Sequence, residues 1–120
     1  MRHAAAACLL AAVVAGCGAQ KRAHEVPARL IAPRACHVSV FFATRMVTGR
    51  EATRAEIAAL RERLSSSSKV KTFAFVHGIP GKPLPSAYEV VPRSAEDAHA
   101  LAAELRRATG VEHVSAAESC

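Results

Sequence analysis

The sequence predicts a small α+β domain in which four strands and two helices follow one another in the order βαββαβ. Three observations predict this class. Short runs rich in β-branched and aromatic residues, with apolar side chains at every second position, are typical of strands. Two stretches begin with helix-capping residues and continue with apolar residues at helical spacing. A chain of 120 residues, finally, has room for one domain.

The predicted strands cover 36–43, 69–76, 88–91 and a run that begins at 111–114. The first is the most strand-like run of the chain, because Val38, Val40 and Phe42 recur at period two. We expect these three side chains to face the core, since alternate residues of a strand point to opposite faces of its sheet. Phe41 then lies on the opposite face.

Capping residues mark where the two helices begin. Thr53 and Glu56 form a capping box: the threonine hydroxyl can accept from the amide three residues on, and the glutamate can reach back. Ser94 is the predicted N-cap of the second helix, and acidic residues in its first turn suit the helix dipole. We expect Gly110 to end that helix. The buried stripes are predicted to be Ile57, Leu60 and Leu64 in the first helix and Ala98, Leu101, Ala102 and Leu105 in the second.

The order βαββαβ is that of a ferredoxin-like sandwich. Right-handed crossovers give a four-stranded antiparallel sheet of order 4-1-3-2, with the first strand in the interior and both helices on one face. The other face is then open to solvent or to a partner. Phe41 is a candidate partner contact, because a large aromatic residue on an uncovered face needs something to cover it.

The N-terminus predicts export and a lipid anchor. A short basic segment precedes the apolar run Ala4 to Val14, which is too short for a membrane span and fits a secretory signal. Small residues before Cys17 make this stretch similar to a bacterial lipobox, in which a peptidase cleaves before the cysteine and the thiol is acylated, with palmitate among the acyl groups. A plain signal peptide with an incidental cysteine is the alternative.

The predicted organisation has three parts: a lipoprotein signal peptide at 1–16, lipidated Cys17 with a flexible tether at 17–35, and a domain at 36–120. The tether is predicted from mixed charges, two prolines and no periodicity. The mature protein is then expected on the extracytoplasmic side of the bacterial cell membrane.

Cysteine usage indicates one disulfide. Once Cys8 has left with the signal and Cys17 is lipidated, Cys36 and Cys120 are the pair that an exported domain would oxidise. The predicted topology places the end of the fourth strand beside the start of the first, which brings these two residues together. A metal site or two free thiols are the competing interpretations, and the cysteine spacing does not match a CxxC-type zinc site.

Neither catalysis nor nucleic-acid binding has a signature in this sequence. The net charge of +6 is spread over the chain without the basic stripe and interleaved aromatics of a nucleic-acid interface. No phosphate-binding loop, acid/base pair or three-ligand metal motif is present, so we expect no enzyme activity, cofactor or metal. His37 and His113 on the first and fourth strands are the best two-residue metal hypothesis.

Several segments resemble one known family. The segments are Val38–Phe42, Ala52–Thr53 with Ile57–Leu60, Val70–Val76, Leu84–Val90 and Gly110–Val114. In order and spacing they are similar to the extracellular domain of the bacterial cell-division protein FtsX, and they span most of the chain from Cys36 to Val114. The Leu-Pro-x-x-aromatic-x-Val element and the Gly-Val-x-x-Val ending are the more specific parts.

The resemblance implies a non-enzymatic binding module of the cell envelope, because that family's domain binds and activates peptidoglycan hydrolases or their adaptors. Two departures from the family matter. A lipid anchor replaces the permease, and the loop 77–87 stands where the family carries a helical lobe with exposed aromatics. Ile79 and Leu84 are the apolar residues of that loop and the tentative partner contacts there. The alternative function is a small-ligand or metal-binding ferredoxin-like lipoprotein.

Overall fold

The computed structural model describes residues 22–32, 34–78, 85–117 and 120. These residues form a five-stranded sheet and three α-helices. The elements are β1 (His24–Glu25), β2 (Val38–Phe42), α1 (Arg45–Thr48), α2 (Arg54–Ser66), β3 (Val70–Val76), β4 (Ala87–Pro92), α3 (Ala95–Leu105) and β5 (Val111–Ala116), with a 3-10 turn at Ala28–Leu30. The predicted mixed α+β class is confirmed.

The strands lie in the order β1-β3-β4-β2-β5. Strand β2 is interior and pairs antiparallel with β4 on one side and β5 on the other. The sheet therefore differs from the predicted four-stranded one: a fifth strand pairs with β3 and becomes the edge. Among the four strands that were predicted, the neighbours are those of the order 4-1-3-2.

The additional strand comes from the segment predicted to be a flexible tether. His24 and Glu25 pair in parallel with Thr72 and Phe73 of β3. The Val26 amide donates to the Phe73 carbonyl at 2.8 Å, and Ala23 beside β1 is buried in the core. This part of the tether is folded onto the domain, so the prediction of a loose spacer is wrong here. Two residues are too few to show any periodicity, which is why the sequence did not predict the strand.

The core lies between the sheet and the helices α2 and α3. Val38, Val40 and Phe42 of β2 are buried in it as predicted. The helices contribute Leu60, Leu64, Ala98, Leu101, Ala102 and Leu105. Each large apolar side chain that is fully buried contributes about 1.5–3 kcal/mol relative to leaving it exposed. The same layer holds an aromatic group in which Tyr88 makes edge-to-face contacts with Phe42, Phe73 and Phe75.

Both predicted helix starts are confirmed. Thr53 accepts from the Glu56 amide at 3.1 Å, and the Glu56 carboxylate accepts from the Thr53 amide at 2.9 Å. The Ser94 hydroxyl accepts from the Asp97 amide at 3.1 Å. The end of α3 is different, because the helix stops at Leu105 and Gly110 lies in the turn before β5 with a φ of 88°. Its carbonyl accepts from the Ala43 amide at 2.8 Å, so this glycine joins the turn to the end of β2.

The sheet face opposite the helices is partly covered. Strand β1 is parallel to β3, β3 is antiparallel to β4, and β4 is antiparallel to β2. Strands β1 and β2 therefore run in the same direction. A right-handed connection between them must cross the face that α2 and α3 leave free. Ala74 and Ala87 on that face are buried, and the 3-10 turn Ala28–Leu30 packs against β3. The predicted open face is therefore wrong over β3 and β4.

The predicted disulfide is present. Cys36 and Cys120 are bonded, with Cα atoms 4.6 Å apart and a separation of 84 residues in sequence. The Ala117 amide donates to the His37 carbonyl at 2.9 Å, which extends the β2–β5 ladder toward the bond. The bond closes one covalent loop around the whole βαββαβ core.

Removing this disulfide should cost stability. We expect Cys36→Ser with Cys120→Ser to lower the free energy of unfolding by about 3 to 4 kcal/mol, because a long loop is then no longer closed in the unfolded chain. Urea unfolding with and without reductant measures this. Reductant should destabilise the native chain and leave the double variant unchanged. If both cysteines of the native chain react with an alkylating agent before reduction, the bond is absent and the expectation fails.

Gly110 and Gly49 form a matched pair for testing backbone fit. Both have positive φ, 88° at Gly110 and 81° at Gly49. A Cβ atom on Gly110 would lie 2.9 Å from Glu56 Oε1, whereas a Cβ atom on Gly49 would have no neighbouring atom within 4 Å. Gly49→Ala should cost about 1 kcal/mol for the left-handed backbone, and Gly110→Ala about 2 to 4 kcal/mol because the overlap adds to it. Thermal unfolding of both variants decides; equal losses would show that α2 does not press on this turn.

Candidate functional site

Phe41 is the predicted contact residue that the structure describes. It lies in β2 between Ala87 of β4 and His113 of β5. Its ring is half-buried and stacks on the His113 imidazole, with centroids 5.9 Å apart and planes inclined by 25°. The other predicted contact residues, Ile79 and Leu84, and the predicted lipidation site Cys17 lie outside the described residues.

The two histidines proposed as a metal pair do not come together. The β2–β5 register places His113 opposite Phe41, while His37 lies level with Ala117. That offset of four residues separates them by about 13 Å along the strands. Within the described parts of the chain, no group of three histidine, cysteine, aspartate or glutamate side chains could hold a metal ion. The metal hypothesis for this pair is wrong, because the β2–β5 register holds the two histidines apart.

His37 instead belongs to a polar group on β2 and β4. Its Nε2 lies 3.5 Å from Glu89 Oε1, and the Ser39 hydroxyl donates to the same oxygen at 2.7 Å. The Nδ1 of His37 lies 2.8 Å from the Ala35 carbonyl oxygen. The group fastens the incoming segment to the sheet. Its serine donates to a carboxylate, not to the imidazole, so it lacks the nucleophile–base bond of a catalytic triad.

Among the residues that the structure describes, the most exposed large apolar side chains lie on α1. Met46 is 81% exposed and its neighbour Val47 is 67% exposed. Exposed apolar residues that lie side by side are typical of protein-contact surfaces. Neither residue is among the contacts predicted from the sequence. The signal was the Met-Val pair within an otherwise polar segment, Thr44 to Glu51.

Hydrogen bonds fix α1 to the domain. The Thr44 amide donates to Glu112 Oε1 of β5 at 3.2 Å, so the start of the segment is tied to the edge strand. The Thr48 hydroxyl donates to the Thr44 carbonyl at 2.9 Å. The Gly49 amide donates to the Arg45 carbonyl at 3.0 Å, with the left-handed backbone at Gly49 turning the chain back toward α2. The apolar pair is thus presented in one arrangement, which lowers the entropy cost of binding.

An ion pair holds the far side of the same segment. Arg50 donates from both terminal nitrogens to the two Glu56 oxygens, at 3.2 and 3.1 Å. The hydrogen bond from Arg50 has the largest effect in lowering the pKa of Glu56, and the bond from the Thr53 amide lowers it further. The same contact with Glu56 raises the pKa of Arg50. Glu56 therefore joins three features: the α1 segment, the N-terminus of α2 and the turn at Gly110.

These residues share one end of the sheet, which we call the α1 end: Phe41, Met46, Val47 and His113. Residue Val76 near the end of β3 pairs with Ala87 at the start of β4, which in turn pairs with Phe41. The described ends of β3 and β4 therefore reach the α1 end. The disulfide lies at the opposite end of β2.

Comparisons with family models, curated proteins and solved structures found no match for this chain. The resemblance to the FtsX extracellular domain accordingly stays a prediction. Within the described ranges, none of the helices has the length and apolar character needed to cross a membrane.

The Glu56 contacts predict a dependence of stability on pH. A carboxyl whose pKa is lower in the folded state stabilises the fold above its unfolded pKa, and this contribution is lost as the pH falls through the folded value. Glu56→Gln should therefore be less stable than the native chain at pH 7, and the difference should vanish in acid. Urea unfolding across this range measures it, with Glu51→Gln as the exposed control. A difference that persists unchanged in acid would contradict the role of the ion pair.

Proposed function

We propose that this chain is a non-enzymatic cell-envelope lipoprotein whose domain binds a protein partner, in cell division or in the regulation of peptidoglycan hydrolases. The observation that supports it most is the exposed pair Met46 and Val47 on a helix that hydrogen bonds hold in place. Large apolar side chains presented without a cover favour a binding surface over a purely structural one.

The proposed fold family is that of the FtsX extracellular domain, built on a ferredoxin-like core to which β1 adds an edge strand. Two features support it. The resembling segments include the whole of β2 and β3 and overlap β4 and β5. The two main helices connect β2 to β3 and β4 to β5, as the split βαβ arrangement requires.

The proposed anchor and the α1 end lie at opposite ends of the sheet. Lipidation at Cys17 would leave the five residues 18–22 before buried Ala23, so that Cys17 and Ala23 lie at most about 22 Å apart. Ala23 precedes the residues paired with Thr72 and Phe73, so the chain enters near the start of β3. The α1 end lies where β2 and β3 finish. A partner would therefore meet the domain on the side that points away from the membrane.

Crosslinking in cells tests this function. A photo-crosslinking residue in place of Met46 should capture a wall hydrolase, its adaptor or a division protein, identified by mass spectrometry. The same residue in place of Leu30 is the matched control, since Leu30 is also large, apolar and 64% exposed but lies on the 3-10 turn. Recovery of no such protein at Met46, or of the same set at both positions, would count against the proposal.

A further inference from the structure

A groove opens beside the edge of the sheet that β1 and β3 form. Its volume is about 610 Å³, within the range of about 300–1,000 Å³ that is usual for ligand pockets. The lining comes from the segment after β1, from α2 and from the ends of β3 and β4: Glu25, Val26, Pro27, Ile57, Arg61, Phe75, His77 and Tyr88. Apolar walls thus meet a small number of polar groups at the mouth.

The edge of β3 is incompletely paired in this groove. Strand β1 covers β3 only as far as Phe73, and the Val26 amide to Phe73 carbonyl bond is the last one between them. Pro27 follows, and its ring nitrogen carries no hydrogen to continue the ladder. Because Phe73 directs its carbonyl outward, Phe75 and His77 direct their amides and carbonyls outward too. Among the described residues, no backbone hydrogen bond reaches the outer edge of β3 beyond Phe73.

Arg61 supplies the charge at the mouth of the groove. Its Nε donates to the Tyr88 hydroxyl at 3.4 Å and lies 3.5 Å from Glu25 Oε1. Both of these contacts involve Nε, and 56% of the Arg61 side chain is exposed. A guanidinium fork of this kind matches a carboxylate geometrically. Glu25 offsets part of the charge, and His77 and Tyr88 are the other titratable groups in the groove lining.

We propose that this groove binds an extended peptide segment of a partner protein as an added strand along Phe75 to His77. Outward amides and carbonyls at strand spacing are satisfied by another backbone, which is the basis of recognition by strand addition. Side chains of a strand that lie two positions apart share a face. The peptide therefore carries a large apolar residue, seated between Ile57 and Phe75, and an acidic residue two positions away at Arg61.

A partner peptide fits this edge better than a second copy of the chain. In a second copy, β1 occupies the neighbouring part of the edge, so two copies could pair only over the few residues beyond Phe73. Such pairing would also bring each copy's Arg61 and His77 toward the other's. The net charge of +6 favours an acidic partner over a basic copy of itself. The inference rests on the proposed function only in that the ligand belongs to a protein.

The experiment uses the full chain in mild detergent, with its disulfide intact, and a library of acetylated, amidated eight-residue peptides. Selected peptides should share the apolar-x-acidic pattern. Binding them should slow hydrogen exchange at the amides of Phe75 and His77. A library that yields no binder above scrambled sequences, or binders that leave these two amides unchanged, would overturn the inference.

Three variants sharpen the result. Arg61→Ala should weaken the selected peptides about tenfold, since a hydrogen bond to a charged group contributes about 1.5–3 kcal/mol. Arg63→Ala is the matched control, because Arg63 on the same helix pairs instead with Glu104 and lies outside the groove lining. Met46→Asp should leave peptide binding intact, so failure of the α1 end and failure of the groove are told apart.

Three outcomes contradict the groove as a peptide site. Equal weakening by Arg61→Ala and Arg63→Ala would show a general charge effect. Loss of peptide binding in Met46→Asp would move the site to the α1 end. Concentration-dependent dimers whose Phe75 and His77 amides are protected from hydrogen exchange without peptide would show that a second copy of the chain pairs with this edge.

Discussion

Strand β2 is hydrogen-bonded to β4 on one side and to β5 on the other. The registers of these two pairings set the positions of the disulfide, of Phe41 and of α1. Pairing with β4 sets Val38 opposite Val90, and pairing with β5 sets Val40 opposite Val114. Because side chains alternate along a strand, this register sends Val38, Val40 and Phe42 to the helices. A slip of one residue would expose all three to the other face. The buried residues of β2 therefore also decide which face Phe41 shares with His113.

The two ends of β2 carry different tasks. At its start, Cys36 is bonded to Cys120 and His37 is held by Glu89, so the tether and the C-terminal tail are fastened together. At its end, the chain passes into α1, where Met46 and Val47 are exposed. A covalent bond at one end and a braced apolar helix at the other suit the proposed arrangement, in which the domain is anchored on one side and binds a partner on the other. Both tasks depend on the same strand being interior.

Local patterns in the sequence predicted much of the fold. Period-two alternation identified β2, and the capping residues Thr53 and Ser94 identified where α2 and α3 begin, because each signal lies within a few neighbouring residues. The disulfide followed from topology and cysteine number. The rest depends on contacts distant in sequence. Strand β1 exists because the Ala23 amide bonds to the Ser65 carbonyl of α2 and the Val26 amide bonds to the Phe73 carbonyl of β3, and no pattern within the two residues of a strand reveals this.

The candidate site was less predictable for the same reason. Phe41 could be assigned to a face, but its stacking on His113 depends on the β2–β5 register, which also separates His37 from His113. Exposure of Met46 depends on how Glu112 and Glu56 hold the segment. The most direct measurement is hydrogen exchange across α1 in native envelope vesicles, compared with the same chain purified away from other proteins. If a partner docks at the α1 end, the amides from Thr44 to Gly49 exchange more slowly in the vesicles while those of α3 do not change; equal rates at α1 in both samples would contradict it.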